Sequence, residues 1–187
     1  MDVNFDLILE NENLILRPIQ LGDVGKLSLM TESSAMWRFF THDLSDHEEL
    51  LAWFAPAFNR ERLQFVIIDK KTNEIIGTTA FGNFSFVDQR LEIGWTWLGK
   101  DFQGTGINSQ VKGLMVCYAF EVMGIERVEF KTDVLNIQAR SALKNISAIE
   151  EGVLRSHTLM TRGRRRDTIF FSILKSEWNH VKRENDW

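Results

Sequence analysis

Hydrophobic and polar positions change period several times along the chain. Leu14-Ile15-Leu16-Arg17-Pro18 is an apolar run closed by proline and predicts a first strand, and Asp23 can cap a short helix reaching about Thr31. Ser45-Asp46-His47-Glu48 has capping-box spacing and opens a helix whose Leu50, Leu51, Trp53, Phe54 and Phe58 lie largely on one side, with Pro56 able to kink it. The period then shortens to two. Residues 63–69 and 74–83, joined by a polar turn, read as an antiparallel hairpin, and residues 90–98 as a further strand. A helical period returns from Ile107 to about Met123, where Val111, Leu114, Met115, Tyr118 and Val122 form an apolar stripe. Residues 127–134 predict a strand, Asn136 can cap a helix through Ile149, and residues 152–161 and 167–174 read as two last strands joined by a turn containing Gly163. The order of elements is that of a mixed α/β sheet.

The richest segment is Trp97-Leu98-Gly99-Lys100-Asp101-Phe102-Gln103-Gly104-Thr105-Gly106-Ile107-Asn108-Ser109, which runs from a strand through glycines into the longest helix. Glycine lets backbone approach a ligand, and the unpaired N–H groups at a helix start favour an anion such as a pyrophosphate. A P-loop would need a Gly-Lys-Ser/Thr ending. A dinucleotide fingerprint would need a third, glycine-like residue where Ser109 stands and a place in an early strand-helix-strand unit. Neither fits. A loop whose glycines only make a tight turn is the plain alternative.

Composition narrows the class. At 187 residues and 44% hydrophobic content the chain can bury a sizeable core, and its length suits one domain spanning 1–187. Twenty-six acidic against 22 basic residues, a formal charge of −4, argue against a general attraction to nucleic acid or anionic membranes. The single cysteine, Cys117, reads as a small buried hydrophobe inside the long helix, and the scattered His42, His47, His157 and His180 show no metal-ligand spacing, so no metal is expected. No apolar run reaches transmembrane length, and Met1-Asp2-Val3-Asn4-Phe5-Asp6 is unlike a signal peptide, so a cytoplasmic protein is expected. The cluster Arg162-Gly163-Arg164-Arg165-Arg166 reads as a solvated hairpin turn, or more sharply as a patch for a phosphate or an acidic acceptor.

Three segments in order, Glu92-Ile93-Gly94-Trp95, the Gln103-Gly104-Thr105-Gly106 loop and Asn136-Ile137-Gln138-Ala139-Arg140-Ser141-Ala142-Leu143-Lys144, resemble the Gcn5-related N-acetyltransferase (GNAT) superfamily, and within it the RimJ/RimL-like branch of ribosomal-protein N-terminal acetyltransferases. The endings Glu151-Gly152-Val153-Leu154-Arg155, Arg166-Asp167-Thr168 and Glu177-Trp178 match the same branch. Two positions depart from the pattern: Asp101 stands where the loop usually opens with Gln or Arg, and Ser147 where a glycine commonly ends the last helix. The resemblance implies an α/β acyl-CoA N-acyltransferase fold, with a mostly antiparallel sheet of about seven strands and helices on both faces. It also implies acetyl-CoA as acyl donor, lying between the strand that ends at Leu98 and the one at 127–134. There the pantetheine amides would pair with Trp97 and Leu98. The pyrophosphate would meet the N–H groups of Gln103, Gly104, Thr105, Gly106, Ile107, Asn108 and Ser109, and Asn136 would reach the pantetheine from the other side; Asn136 reads equally as a plain helix cap.

Direct attack of an amine on a thioester needs no protein nucleophile, only a neutral amine. At pH 7 an α-amine of pKa ~8 is roughly a tenth neutral, while lysine near ~10.4 is almost wholly charged, so a peptide N-terminus asks little of a base. Glu92 is the candidate, expected on a strand face with Gly94 and Thr96 while Leu91, Ile93 and Trp95 point the other way; its plain alternative is a salt-bridged strand residue. Many relatives protonate the departing thiolate with a tyrosine, but the only one here, Tyr118, lies in the helical stripe; the resemblance implies Ser141, at the serine of the branch's Asn-x-x-x-x-Ser segment, as the hydroxyl donor, an ordinary serine in the first turns of a helix being its plain alternative. Trp37, Phe39, Phe40, Trp53, Phe54, Phe81, Phe84 and Phe86 are core by default, with a few left to line an acceptor groove. The expected acceptor is a peptide N-terminus or a small-molecule amine; a cationic one would suit the net charge. A homodimer is left open. The different-class alternative is a catalytically silent acyl-CoA-binding module that regulates a partner.

Overall fold

The computed structural model describes residues 3–187, so Met1 and Asp2 of the N-terminal stretch lie outside it. The strands are β1 (Leu9–Glu10), β2 (Leu14–Pro18), β3 (Leu63–Asp69), β4 (Glu74–Ser85), β5 (Arg90–Leu98), β6 (Arg127–Asp133), β7 (Ile149–Leu159) and β8 (Arg165–Leu174). The helices are α1 (Val24–Ser28), α2 (His47–Phe58), α3 (Ile107–Cys117), α4 (Ile137–Asn145) and α5 (Trp178–Glu184). All eight strands join one sheet in the order β1-β2-β3-β4-β5-β6-β8-β7. Every neighbouring pair is antiparallel except β5 and β6. The strand beyond the expected seven is the two-residue β1, too short to leave a periodic signal.

Period-two alternation explains the two cores. In β2 and β3, Leu14, Leu16, Phe65 and Ile67 face a core shared with Val111, Met115 and Val116 of α3 and Trp178 of α5. Their neighbours Ile15, Val66 and Ile68 face a second core with Leu27 of α1 and Trp53 and Phe54 of α2. Covered on both faces, β3 is a nearly continuous apolar run rather than an alternating one.

Several local expectations are corrected. The N-cap of α2 is Asp46, not Ser45: its carboxylate accepts from Glu48 N (2.9 Å) and Glu49 N (3.0 Å). Asp23 does not cap α1; its side chain turns back to accept from Gln20 N (2.8 Å) and from the Arg17 guanidinium (2.7 and 2.8 Å). The long helix is α-helical only to Cys117. Residues 118–122 form a π turn in which Met123 N reaches Tyr118 O at 3.0 Å, and the extra residue rotates the buried face. Phe120 and Met123 are therefore in the core while Val122 is exposed and Tyr118 half-buried. Cys117 is half-buried too, its thiol bonded to Glu121 (3.3 Å), and burial with that carboxylate pushes its pKa up. Asn136 does cap α4, accepting from Ala139 N at 3.1 Å, but the helix stops at Asn145 and Ser147 takes the left-handed turn (φ 63°). The helix α5 had no counterpart among the expected elements.

Candidate active site

The parallel pairing of β5 with β6 is short. Arg90, Leu91 and Glu92 face Arg127, Val128 and Glu129, and there the ladder ends, although β5 runs on to Leu98 and β6 to Asp133. The cause is local. Thr78 pairs with Trp97 and Ala80 with Gly94, so Trp95 and Thr96 together oppose Thr79; Trp95, at φ 50°, is the residue of a β-bulge that bends β5 away from β6.

What lines the resulting gap follows from the β4–β5 ladder. Gly99 N donates to Ile76 O (2.9 Å), so the next pair, Gly77 opposite Leu98, is the one without mutual bonds. The peptide groups of Leu98 therefore face the gap, whereas those of Trp97 face β4. The Leu98 carbonyl already accepts from the Gln103 amide (3.0 Å), which leaves its N–H facing the opening.

The glycine loop continues the same wall. Gly104 (φ 74°) and Gly106 (φ 86°) are left-handed, and a Cβ built on either would meet open space. The first backbone bonds at the start of α3 come from Ser109 and Gln110, both reaching Gly106 O (3.1 and 3.3 Å), and Gln103 N is tied to Lys100 O (3.3 Å). Among the described residues, the amides of residues 104–108 have no acceptor. The cradle is thus five residues long; Gln103 and Ser109, expected to contribute amides, spend theirs elsewhere. Thr105 Oγ1 holds the loop through Phe102 O (2.7 Å), and Asn108 buries its Oδ1 without a partner. Five oriented donors at a helix start can hold a diphosphate. Asn136, which follows β6, is occupied as the cap of α4, and Ser141 is exposed on α4 without a bond to any described residue.

Glu92 sits at the last paired position before the strands part, and it is buried. Asn83 Nδ2 donates to its Oε2 (2.6 Å) and Lys131 Nζ, from β6, lies 2.8 Å from the same oxygen. The face on which it lies differs from expectation. The bulge breaks the period of two, so Trp95 joins Glu92 on the α1/α2 side, while Thr96 crosses to the α3 side and accepts a hydrogen bond from Lys112 Nζ (2.6 Å). Lys112 is fully buried, and desolvation pushes its pKa down to about 7 against a small opposing pull from Glu92. A lysine beside Val111 in a helix with an inward apolar face was the signal that could have found it.

The arginine cluster is not a free patch. Arg162 pairs with Asp43 (3.0 Å), linking the turn before β8 to the segment before α2. Arg164 pairs with the buried Asp133, Arg165 bonds Ser156, and Arg166 is buried with Thr168 (2.9 Å). Of the aromatic residues, Phe84 and Phe86 stack (5.8 Å) and line a groove of about 640 Å³ together with Asn83, while Trp37, Trp53, Phe54 and Phe81 are core.

The family model described as "Acetyltransferase (GNAT) domain" matches residues 13–148. "Putative ribosomal N-acetyltransferase YdaF" of Bacillus subtilis is 26% identical over 179 residues, covering 92% of this chain and 97% of that protein. In fold, a GCN5-related N-acetyltransferase from Brucella melitensis superposes with a TM-score of 0.89 at 24% identity, covering 97% of this chain and 84% of that one. The ribosomal-protein-S5-alanine acetyltransferase from Vibrio fischeri does so with a TM-score of 0.72 at 21% identity, over 92% and 99% of the two chains.

Proposed function

Because the chain belongs to the acetyltransferase (GNAT) family, we propose that it moves an acetyl group from acetyl-CoA to a primary amine by direct attack within a ternary complex. The observation that carries this is the gap between β5 and β6, walled by the Leu98 peptide and continued by the five free amides of residues 104–108. A pantetheine arm suits the first and a pyrophosphate the second. The name of the Bacillus subtilis relative, a putative ribosomal N-acetyltransferase, favours an amine of the ribosome over a small-molecule amine as acceptor, and a protein N-terminus is such an amine.

In the reaction the amine nitrogen attacks the thioester carbonyl, the C–N bond forms, and the C–S bond breaks as CoA leaves. Glu92 takes the amine's proton, directly or through water; its pairing with Lys131 and the hydrogen bond from Asn83 fix its direction. The thiolate, of a thiol with pKa near ~8.5, needs only a hydrogen bond, which Ser141 supplies from α4. Asn136 and the loop amides hold the donor. Nothing in this scheme passes through Cys117.

The test is release of CoA thiol, measured across N-terminal peptides and small amines side by side. Acetyl-CoA-dependent release with at least one amine class, and acetylated product, is the expected result. Tight acetyl-CoA binding with no release across the whole panel would overturn the reading in favour of a silent acyl-CoA-binding module.

A further inference from the structure

On the α2 side of Glu92 lies a buried cation that the acetyl-transfer scheme does not use. Arg62 immediately precedes β3, held there because Pro56 O, in the last turn of α2, accepts the amides of Glu61 (2.9 Å) and Arg62 (3.2 Å). Its guanidinium is sandwiched between the indoles of Trp53 (4.8 Å) and Trp95 (4.9 Å). Nη2 donates to Trp53 O (2.5 Å), but Nε is buried without a partner. Only 5% of the residue is exposed, and among the described residues no carboxylate pairs with it. Burial pushes its pKa down to about 10, the direction expected of a cation without a counterion.

The same row of the sheet carries the reacting carboxylate. Leu63 faces Phe81, which brings Arg62 beside Gly82; a Cβ on Gly82 would stand 3.6 Å from Arg62 Cγ, and Gly82 is the direct ladder partner of Glu92. The ring of Trp95 covers Gly82 and reaches toward Lys131 on its far side (6.0 Å). Arg62 and Glu92 are therefore two strand spacings apart, about 10 Å, or roughly three residues of extended chain. On its β2 side, away from Glu92, Arg62 borders a hollow of about 390 Å³ that it lines with Arg17, Arg60 and Gln64, Asp6 being the single acid of the lining. Gln64 Oε1 is a second buried atom there without a partner. Arg17 is neutralised by Asp23, and Lys131 by Glu92. Arg62 is not.

We propose that Arg62 is the anchor for a carboxylate on the acceptor, so that this site selects amines whose own molecule carries a negative charge within about three residues of the reacting nitrogen. A chain of net charge −4 thus presents a positive site, opposite to the preference that net charge alone suggests. The inference rests on the acetyl-transfer reading for the position of the amine, but not for the charge preference itself. A buried guanidinium left unpaired in the free protein gains charge-assisted bonds when a carboxylate arrives, about ten- to a hundredfold in affinity.

Matched peptides with a free N-terminus and Glu, Gln or Lys at their second and third positions test it, with kcat/KM read from thiol release and affinity read by calorimetry in the presence of CoA. The Glu peptides should exceed the Lys peptides at least tenfold in both. Arg62→Met should bring that ratio close to one, Arg62→Lys should restore part of it, and both should bind acetyl-CoA as the parent does, which shows that the variants fold. Equal turnover of all peptides by the parent protein, or an unchanged ratio in Arg62→Met with acetyl-CoA binding intact, overturns the proposal and leaves acetyl transfer standing. Selective binding of the Glu peptides with no thiol release supports the anchor and overturns acetyl transfer.

Discussion

The donor side and the acceptor side of β5 are built from different materials. On the side proposed for the donor the groups on offer are backbone: the Leu98 peptide and the amides of residues 104–108, held in place by two left-handed glycines. On the side proposed for the acceptor they are side chains, the buried Glu92 and Arg62 and the half-buried Lys131, beside the indoles of Trp53 and Trp95. Backbone donors are there whatever the side chains are, and they cost little while solvated. Buried charges specify one geometry but must be compensated. The bulge at Trp95 serves both sides, opening the gap and turning its indole over Gly82.

The largest effect is expected where the backbone is forced. Gly106→Val places a β-branched side chain at φ 86° beside the free amides, and acetyl-CoA affinity should fall roughly a hundredfold or more by calorimetry while the fold persists at a cost of about 1–3 kcal/mol. Unchanged affinity would remove the loop from donor binding. Next comes Lys112, a buried cation on the helix that follows the loop. Between pH 7 and 10.5 the unfolded chain keeps a proton that the folded chain has given up, so the Lys112 penalty is full at and below pH 7 and fades as pH rises toward 10.5. Lys112→Met should accordingly stabilise by about 2 kcal/mol in urea at pH 7, with the gain shrinking toward pH 10. A gain independent of pH would show that packing rather than charge is responsible.

Smaller effects separate the roles assigned across the gap. Ser141→Ala should lower kcat about tenfold and leave acetyl-CoA affinity alone, whereas Asn136→Ala should weaken affinity more than kcat, part of that loss being the missing cap of α4. If Ser141→Ala instead weakened binding and turned over normally at saturation, the serine would be a donor ligand. Glu92→Gln should cost less than tenfold at pH 7 with a peptide acceptor, and the deficit should close toward pH 9 as solvent supplies neutral amine. A deficit constant with pH would assign Glu92 to orientation.

The same contrast explains what could be read from the chain. The cradle was legible because Gly104 and Gly106 before a helical period carry their physical meaning locally. So were most strands and the cap at Asn136. Arg62 was not. It stands in the polar run Asn59-Arg60-Glu61-Arg62 between a helix and a strand, which reads as solvated, and only the return of α2 onto Pro56 O and the register of β3 on β4 bury it. The faces of Thr96 and Trp95 depart from strict alternation for a related reason: alternation cannot anticipate a bulge, whose extra residue is defined by its partner strand. The π turn after Cys117 likewise displaced the apolar stripe by one residue. The arginines at 162–166 show the limit of charge patterns, since Arg162, Arg164 and Arg165 are tied to partners elsewhere in the sequence and Arg166 is buried beside Thr168.

The acyl donor is proposed to lie in the gap where β5 leaves β6, against backbone. Amide hydrogen exchange with and without acetyl-CoA reads that backbone directly. Protection should appear at Leu98 and at residues 104–108 on adding acetyl-CoA, with Trp97, already bonded to β4, little changed. Binding of acetyl-CoA that leaves exchange at Leu98 and residues 104–108 unaltered would contradict the account.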